Sequence, residues 1–176
     1  MRTKHHSFKE SDKLDRRILK VLQQQGRISM TELAEQVGLS TTPCTERVRR
    51  LEREGVIEGY SARVNPKALG LPLLVFVEIK LASKSGDIFE AFRREVLKLP
   101  QILDCHLVSG DFDYLIKARI PDMSQYRELL GDILLKLPQA EESRSYIVME
   151  EVKETLELPI CLWFTPERWR GNTGTK

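Results

Sequence analysis

The sequence predicts an α+β protein of two domains, and three observations carry the prediction. Residues 26 to 55 read as two short helices around a glycine stop; the charge divides between the halves; and a strand, helix, strand pattern recurs at an offset of 38 residues. A length of 176 residues leaves room for two small cores. Residues 1–64 hold 13 Lys and Arg against 9 Asp and Glu, a balance of +4, whereas residues 72–154 hold 11 against 15, a balance of −4. The overall +2 conceals that split. A basic first half beside an acidic second half implies that the first alone meets a polyanion.

Residues 1–11, polar and basic with His5 and His6 adjacent, read as a flexible arm suited to phosphate contact; two neighbouring imidazoles without a third ligand hold a metal weakly. A first helix is predicted over Asp12–Gln25, with Leu14, Ile18, Val21 and Leu22 as its apolar stripe. A second runs from Met30 to Val37, with Leu33, Ala34 and Val37 facing a core, Gly38 as its stop and Leu39 anchoring the turn. The third starts from Thr42 as N-cap with Pro43 at the first helical position, and buries Cys44, Val48 and Leu51. Val56, Ile57 and Tyr60, after Gly55, suggest a short wing strand. Residues 12–61 are therefore predicted to be a winged helix-turn-helix, followed by a linker over 62–71.

The outward residues of the third helix say what it is for. Ser40, Thr41, Thr42 and Thr45 gather hydroxyls at its start, and Glu46, Arg49, Arg50 and Arg53 follow along the shaft. Hydroxyls and helix N-termini bind phosphate and arginine reads guanine edges, so the helix suits the major groove of double-stranded DNA. A merely solvated basic helix is the plain alternative; the glycine turn and the Thr-Pro start favour DNA.

In the second half, Leu97-Lys98-Leu99-Pro100-Gln101 recurs as Leu135-Lys136-Leu137-Pro138-Gln139. The apolar strand Leu73–Leu81 falls on Asp111–Arg119 at the same offset. Each strand precedes a helix, striped by Phe89, Phe92, Val96 and Leu99 in one and by Tyr126, Leu130, Ile133 and Leu137 in the other. Closing strands are predicted at Ile102–Ser109 and Ser143–Val152, with Gly110-Asp111 as a tight hairpin turn. Residues 72–154 are thus predicted to be a ferredoxin-like βαββαβ domain, with its two helices on one sheet face. Alternation puts Val75, Val77, Ile79 and Leu81 with Phe112, Tyr114, Ile116, Ala118 and Ile120 on one side, and Leu74, Phe76 and Leu115 on the other. The latter form an apolar patch for a second copy to cover, and two-fold symmetry suits DNA reading too.

Ser109-Gly110-Asp111-Phe112-Asp113-Tyr114 concentrates polar groups at a glycine turn, with Ser143, Ser145 and Tyr146 offering hydroxyls from the last strand. Carboxylates for an ammonium and donors for a carboxylate suit an amino acid. A turn whose Asp caps its own backbone reads equally well. No HExxH, P-loop, GxSxG or dinucleotide motif accompanies the carboxylates, and His106 lies on a strand, so no enzyme is predicted. Cys44, Cys105 and Cys161 lie far apart without a CxxC pair, against zinc or a disulfide framework. No cofactor and no metal are expected. No apolar run approaches the roughly 18 residues of a membrane span, which predicts a cytoplasmic protein.

The strings STTPCTERVRRLEREGVI, LLVFVEI, CHLVSGDFDYLIKARIPDM, YRELLGDILLKLP and YIVMEEVK resemble the Lrp/AsnC (feast/famine) family of bacterial transcription regulators, from about Asp12 to Glu154. The resemblance implies a nucleoid-associated activator and repressor of amino-acid metabolism genes, dimeric and commonly assembled into octamers with DNA wrapped outside. It also implies an amino-acid effector, leucine above others, held between dimers by Ser109, Gly110, Asp111, Asp113, Tyr114, Met123, Ser143, Ser145 and Tyr146. An architectural DNA-wrapping protein without effector is the alternative. The tail, 155–176, has no counterpart in the family pattern; its Leu158, Ile160, Leu162, Trp163 and Phe164 are expected to dock on a subunit, with Trp169 beyond them and Gly171–Lys176 disordered.

Overall fold

The structure is a computed structural model that describes residues 13–136 and 140–160, with side chains of 132–136 left aside. The arm with His5 and His6, the repeat's Leu137-Pro138-Gln139, and Cys161, Leu162, Trp163, Phe164 and Trp169 lie outside the described residues. The chain divides into two compact units, one of residues 1–63 with 154–176 and one of 64–153.

The first unit packs α1 (Lys13–Gln24), α2 (Met30–Val37) and α3 (Thr41–Arg53) around Ile18, Leu19, Leu22, Leu33, Ala34, Val37, Cys44, Val48 and Leu51. Ser29 opens α2 in a reciprocal capping box with Glu32: the Ser29 hydroxyl accepts from the Glu32 N–H at 3.2 Å, and the Glu32 carboxylate accepts from the Ser29 N–H at 3.1 Å. Gly38 ends the helix at φ 76°, a left-handed conformation in which Leu39 N–H reaches the Ala34 carbonyl at 2.9 Å. The turn from α2 to α3 therefore follows the sequence reading closely.

α3 differs in its start. Its cap is Ser40, not Thr42, and Pro43 is the third helical residue. The prolyl nitrogen still falls among the first four, none of which has an intrahelical partner, so the earlier start costs no hydrogen bond. The wing strand is a second correction. Val56 and Ile57 turn inward after Gly55 (φ 72°), both donating to the Leu51 carbonyl, and no described residue of this unit forms a β-ladder. Once their side chains pack against the three-helix core, Val56 and Ile57 have no strand to pair with.

Residues 154–160 belong to this unit. Gln23 clasps them at two points, accepting from Leu158 N–H at 2.7 Å and donating to the Leu158 carbonyl at 3.2 Å; Gln24 adds a bond to Glu157 at 2.8 Å. Arg63 donates to the Glu154 carbonyl at 3.0 Å, and Ile160 packs on the helical core while Leu158 stays exposed.

The second unit orders β1 (Leu73–Leu81), α4 (Gly86–Val96), β2 (Ile102–Leu107), β3 (Tyr114–Ile120), α5 (Met123–Lys136) and β4 (Ala140–Ile147) into one antiparallel sheet, β2-β3-β1-β4. That strand order is the ferredoxin-like one. Val75, Val77, Ile79, Leu81, Tyr114, Ile116, Ala118 and Ile120 form the core with Phe92, Val96, Leu99 and Leu129 from the helical layer. Phe92 stacks on Tyr114 with ring centroids 4.0 Å apart, and Phe89 meets the same ring edge-on at 6.1 Å.

Three strands have other ends than predicted. β2 stops at Leu107 and β3 begins at Tyr114, so the connection is a loop over 108–113 rather than a two-residue turn. The reason is Asp113: its N–H donates to the Ile79 carbonyl and its carboxylate accepts from the Leu81 N–H, so a side chain completes the pairing where a third strand residue was expected. β4 runs from Ala140, opposite Leu81, to Ile147, opposite Val75, its span set by the length of β1. Leu74 is also buried, while Phe76 and Leu115 stay half-buried. Its cross-strand neighbour Arg119 is held by Glu151, and Val148 donates to the Leu74 carbonyl, so the chain beyond β4 closes that end of the face.

Gln23→Ala removes both bonds to Leu158. Hydrogen exchange should show Leu158 protection falling about fivefold, equivalent to ~1 kcal/mol, while protection in β1 and β3 is unchanged.

Candidate DNA-binding and effector sites

Thr42, Glu46, Arg49 and Arg53 of α3 are all exposed, and their spacing of i, i+4, i+7 and i+11 sets them on one face, opposite the buried Cys44, Val48 and Leu51. Ser40 and Thr41 stand exposed at the helix start. Thr45 is half-buried and donates its hydroxyl back to the Thr41 carbonyl at 2.8 Å, leaving only lone pairs, which can accept from a base amino group but cannot bind a phosphate oxygen.

Arg50 does not belong on that outward face. It and Arg47 both reach Asp15 of α1, whose carboxylate is 1% exposed; Arg47 Nη1 lies 2.9 Å from one oxygen and Arg50 Nη2 bonds the other. Arg50 Nε is also 4.0 Å from Glu54. The sequence reading placed Arg50 outward because helical spacing sets it beside Arg49. A carboxylate buried on the neighbouring helix, unreadable from α3 alone, draws it sideways.

The nine residues read as a ligand site separate into distinct environments. Ser109, Gly110 and Asp111 lie exposed on the β2–β3 loop, with Gly110 at φ 144°. Tyr114 is 6% exposed and stacked in the core, so it serves packing rather than contact with a ligand from within one chain. Asp113 is 4% exposed and committed: Leu81 N–H and Lys84 Nζ each lie 2.9 Å from its carboxylate. Burial alone pushes the Asp113 pKa up, but the Leu81 bond, the Lys84 ammonium and the charge of Lys80 outweigh it and hold the group below its ordinary value. Within one chain Asp113 therefore bonds β1 rather than capping its own turn. Ser143 and Ser145 sit opposite Ile79 and Val77 and share their helix-covered face; Tyr146 sits opposite Phe76 on the other face, half exposed. Met123 opens α5 and is 48% exposed.

Sequence reasoning missed a groove of about 280 Å³ on the uncovered sheet face, lined by Glu78, Lys80, Asp111, Phe112, Glu142 and Arg144. Glu78 faces Arg144 and Lys80 faces Glu142 across β1 and β4, so both signs of charge meet there. The signal was present as alternation along β1, where Glu78 and Lys80 interrupt an apolar strand, but their partners depend on the β4 register. Among the described residues no helix is long and apolar enough to cross a membrane.

With that geometry in place, comparison with known proteins decides the family. Residues 74–158 match the Lrp/AsnC ligand binding domain, and residues 11–58 match a winged helix-turn-helix DNA-binding domain. The leucine-responsive regulatory protein of Escherichia coli K12 is 57% identical over 158 residues, spanning 90% of this chain and 96% of that protein. The chain belongs to the Lrp/AsnC family. It is a DNA-binding transcription regulator with a separate ligand-binding domain, not an enzyme. Two solved structures share its fold: a transcriptional regulator of Neisseria meningitidis, solved with L-methionine (TM-score 0.82, 36% identity, covering 86% of this chain and 97% of that one), and a feast or famine regulatory protein of M. tuberculosis, also complexed with L-methionine (0.75, 30%, 84% and 97%).

The lowered Asp113 pKa fixes the sign of an acid effect. The ion pair stabilises the fold fully above the ordinary value of 3.8 and is lost as pH falls through the depressed folded value. Asp113→Ala strands the buried Leu81 N–H and should cost about 1–3 kcal/mol at neutral pH. Its denaturation midpoint, followed from pH 6 downward to roughly 2, should fall less steeply than that of the parent; an equal slope contradicts the assignment.

Proposed function

We propose that the chain regulates genes of amino-acid metabolism, activating some and repressing others, in response to an amino acid, leucine foremost, bound where dimers meet. Several residues support the DNA half: Thr42, Glu46, Arg49 and Arg53 as groove readers, with Ser40 and Thr41 toward the phosphates and the Thr45 lone pairs toward a base amino group. The observation that carries the effector half is the groove beside the Gly110 loop. A zwitterion needs an anion for its ammonium and a cation for its carboxylate, and Glu78, Glu142 and Asp111 stand there among Lys80 and Arg144. The L-methionine complexes of two relatives support the same ligand class.

One chain does not gather Ser143, Ser145, Tyr146 and the loop on a single surface, since the serines and the tyrosine face opposite ways. A site completed by another copy resolves this. Dimers further assembled into octamers then give the effector its leverage, because a ligand favours whichever assembly completes its pocket. Half-buried Phe76 and Leu115 and the exposed Tyr146 offer apolar surface for that contact. In this reading the protein works in the cytoplasm, on nucleoid DNA.

Titration calorimetry with leucine, methionine and leucinamide tests the effector half. Leucine should bind, leucinamide should not, and Arg144→Ala should weaken leucine by more than tenfold, the loss of ~1.4 kcal/mol or more from a charge-assisted bond. Silence with every amino acid would leave a DNA-wrapping protein without effector. Binding to duplex DNA across salt tests the other half. Arg49→Ala and Arg53→Ala should each cost about 1–3 kcal/mol on a tightly bound duplex and relax discrimination between duplexes; unchanged affinity at every salt concentration would show that α3 does not meet DNA.

A further inference from the structure

Asp15 is a buried charge that neither proposed site uses. It occupies the first turn of α1, its side chain is 1% exposed, and both its oxygens are spent on guanidiniums of α3. Arg47 and Arg50 are 26% and 39% exposed, so each extends from the helix edge inward to the carboxylate. Glu54, one turn beyond Arg50, supplies a second negative neighbour at 4.0 Å. Four arginines lie between positions 47 and 53, and the structure sorts them into two held by α1 and two, Arg49 and Arg53, facing out.

We propose that Asp15 is a positioning residue for the reading helix: it withholds Arg47 and Arg50 from DNA and fixes the rotation of α3 about its axis, so that base reading is confined to the Thr42, Glu46, Arg49 and Arg53 stripe. Two charge-assisted bonds from residues three apart on α3 to one carboxylate on α1 resist rotation of α3 in either sense. The apolar stripe beneath, Cys44, Val48 and Leu51, carries only a cysteine toward the N-terminal end, where the helix start would meet phosphate. A guanidinium neutralised by a buried carboxylate releases few counterions from DNA. Sequence-independent attraction is therefore trimmed while base contacts are kept, which raises the ratio of specific to non-specific binding.

The proposal rests on α3 as the helix that meets DNA, and the experiment separates the two. Full-length parent, Asp15→Asn, Arg50→Gln, the double variant and Arg49→Ala are titrated with a duplex selected by the parent from a random pool and with its scrambled counterpart, from about 50 to 200 mM salt. Asp15→Asn should bind the scrambled duplex several-fold tighter, with a salt slope steeper by about 0.9, and should lose selectivity. Adding Arg50→Gln should return the scrambled affinity and slope toward the parent's, and Arg50→Gln alone should change neither. If Asp15→Asn weakens both duplexes equally and the second substitution restores nothing, Asp15 is a structural ion only. Should Asp15→Asn fail to fold, Arg50→Gln still decides: a slope flattened by one phosphate contact places Arg50 on DNA and overturns the proposal. An unaffected Arg49→Ala overturns the reading of α3 and this proposal with it, whereas impaired Arg49→Ala beside an unaffected Asp15→Asn overturns this proposal alone.

Discussion

The pairing of β1 with both β3 and β4 is the constraint on which the second unit depends. Because opposed residues share a face, one register puts Val75, Val77 and Ile79 with Ala118 and Ile116 beneath the helices, and places Glu78 and Lys80 against Arg144 and Glu142 outside. A slip of one residue would exchange the two sets, burying four charges and exposing the core. The same ladder ends in a side chain, where the Asp113 carboxylate takes the Leu81 N–H, and that closure sets the length of the loop carrying Gly110 and Asp111. Core, charged groove and loop thus follow from a single alignment.

The first unit solves a different problem, presenting a helix that is basic yet selective. Three apolar residues seat α3, and polar contacts settle what remains, with Asp15 holding two arginines and α2, capped by Ser29 and closed by Gly38, delivering the chain to the turn. The unit is built from two separate stretches, so the chain crosses to the other unit after Arg63 and returns at Glu154, and an Arg63 bond to the Glu154 carbonyl ties the crossings together.

Much of this was legible in the sequence where a local period dictates the answer. Met30–Val37 and Leu73–Leu81 have the predicted bounds, since Gly38 and the apolar run of β1 speak for themselves. The 38-residue repeat gave the second half its topology, and the Lrp/AsnC resemblance carried by the longer motif strings is established by relatives along 90% of the chain. What escaped were interactions between elements distant in sequence. Nothing in α1 alone singles out Asp15, and only its contacts across 32 and 35 residues place Arg47 and move Arg50 off the outward face. The Asp113 closure and the groove partners on β4 belong to the same class: they arise from register, which neither strand encodes by itself. Ser40 as the cap of α3 escaped for a local reason, because proline is tolerated throughout the first turn and so fixes a helix start only to within about three residues.

In the proposed reading DNA and effector bind through linked equilibria, so whatever the effector does to DNA affinity the DNA must do to effector affinity. The most direct measurement is therefore leucine affinity by calorimetry, for the free protein and for the protein saturated with a duplex that it binds tightly. The account predicts two different dissociation constants, in a ratio equal to the shift that saturating leucine produces in DNA affinity. Measurable leucine binding with the same constant in both states would contradict it.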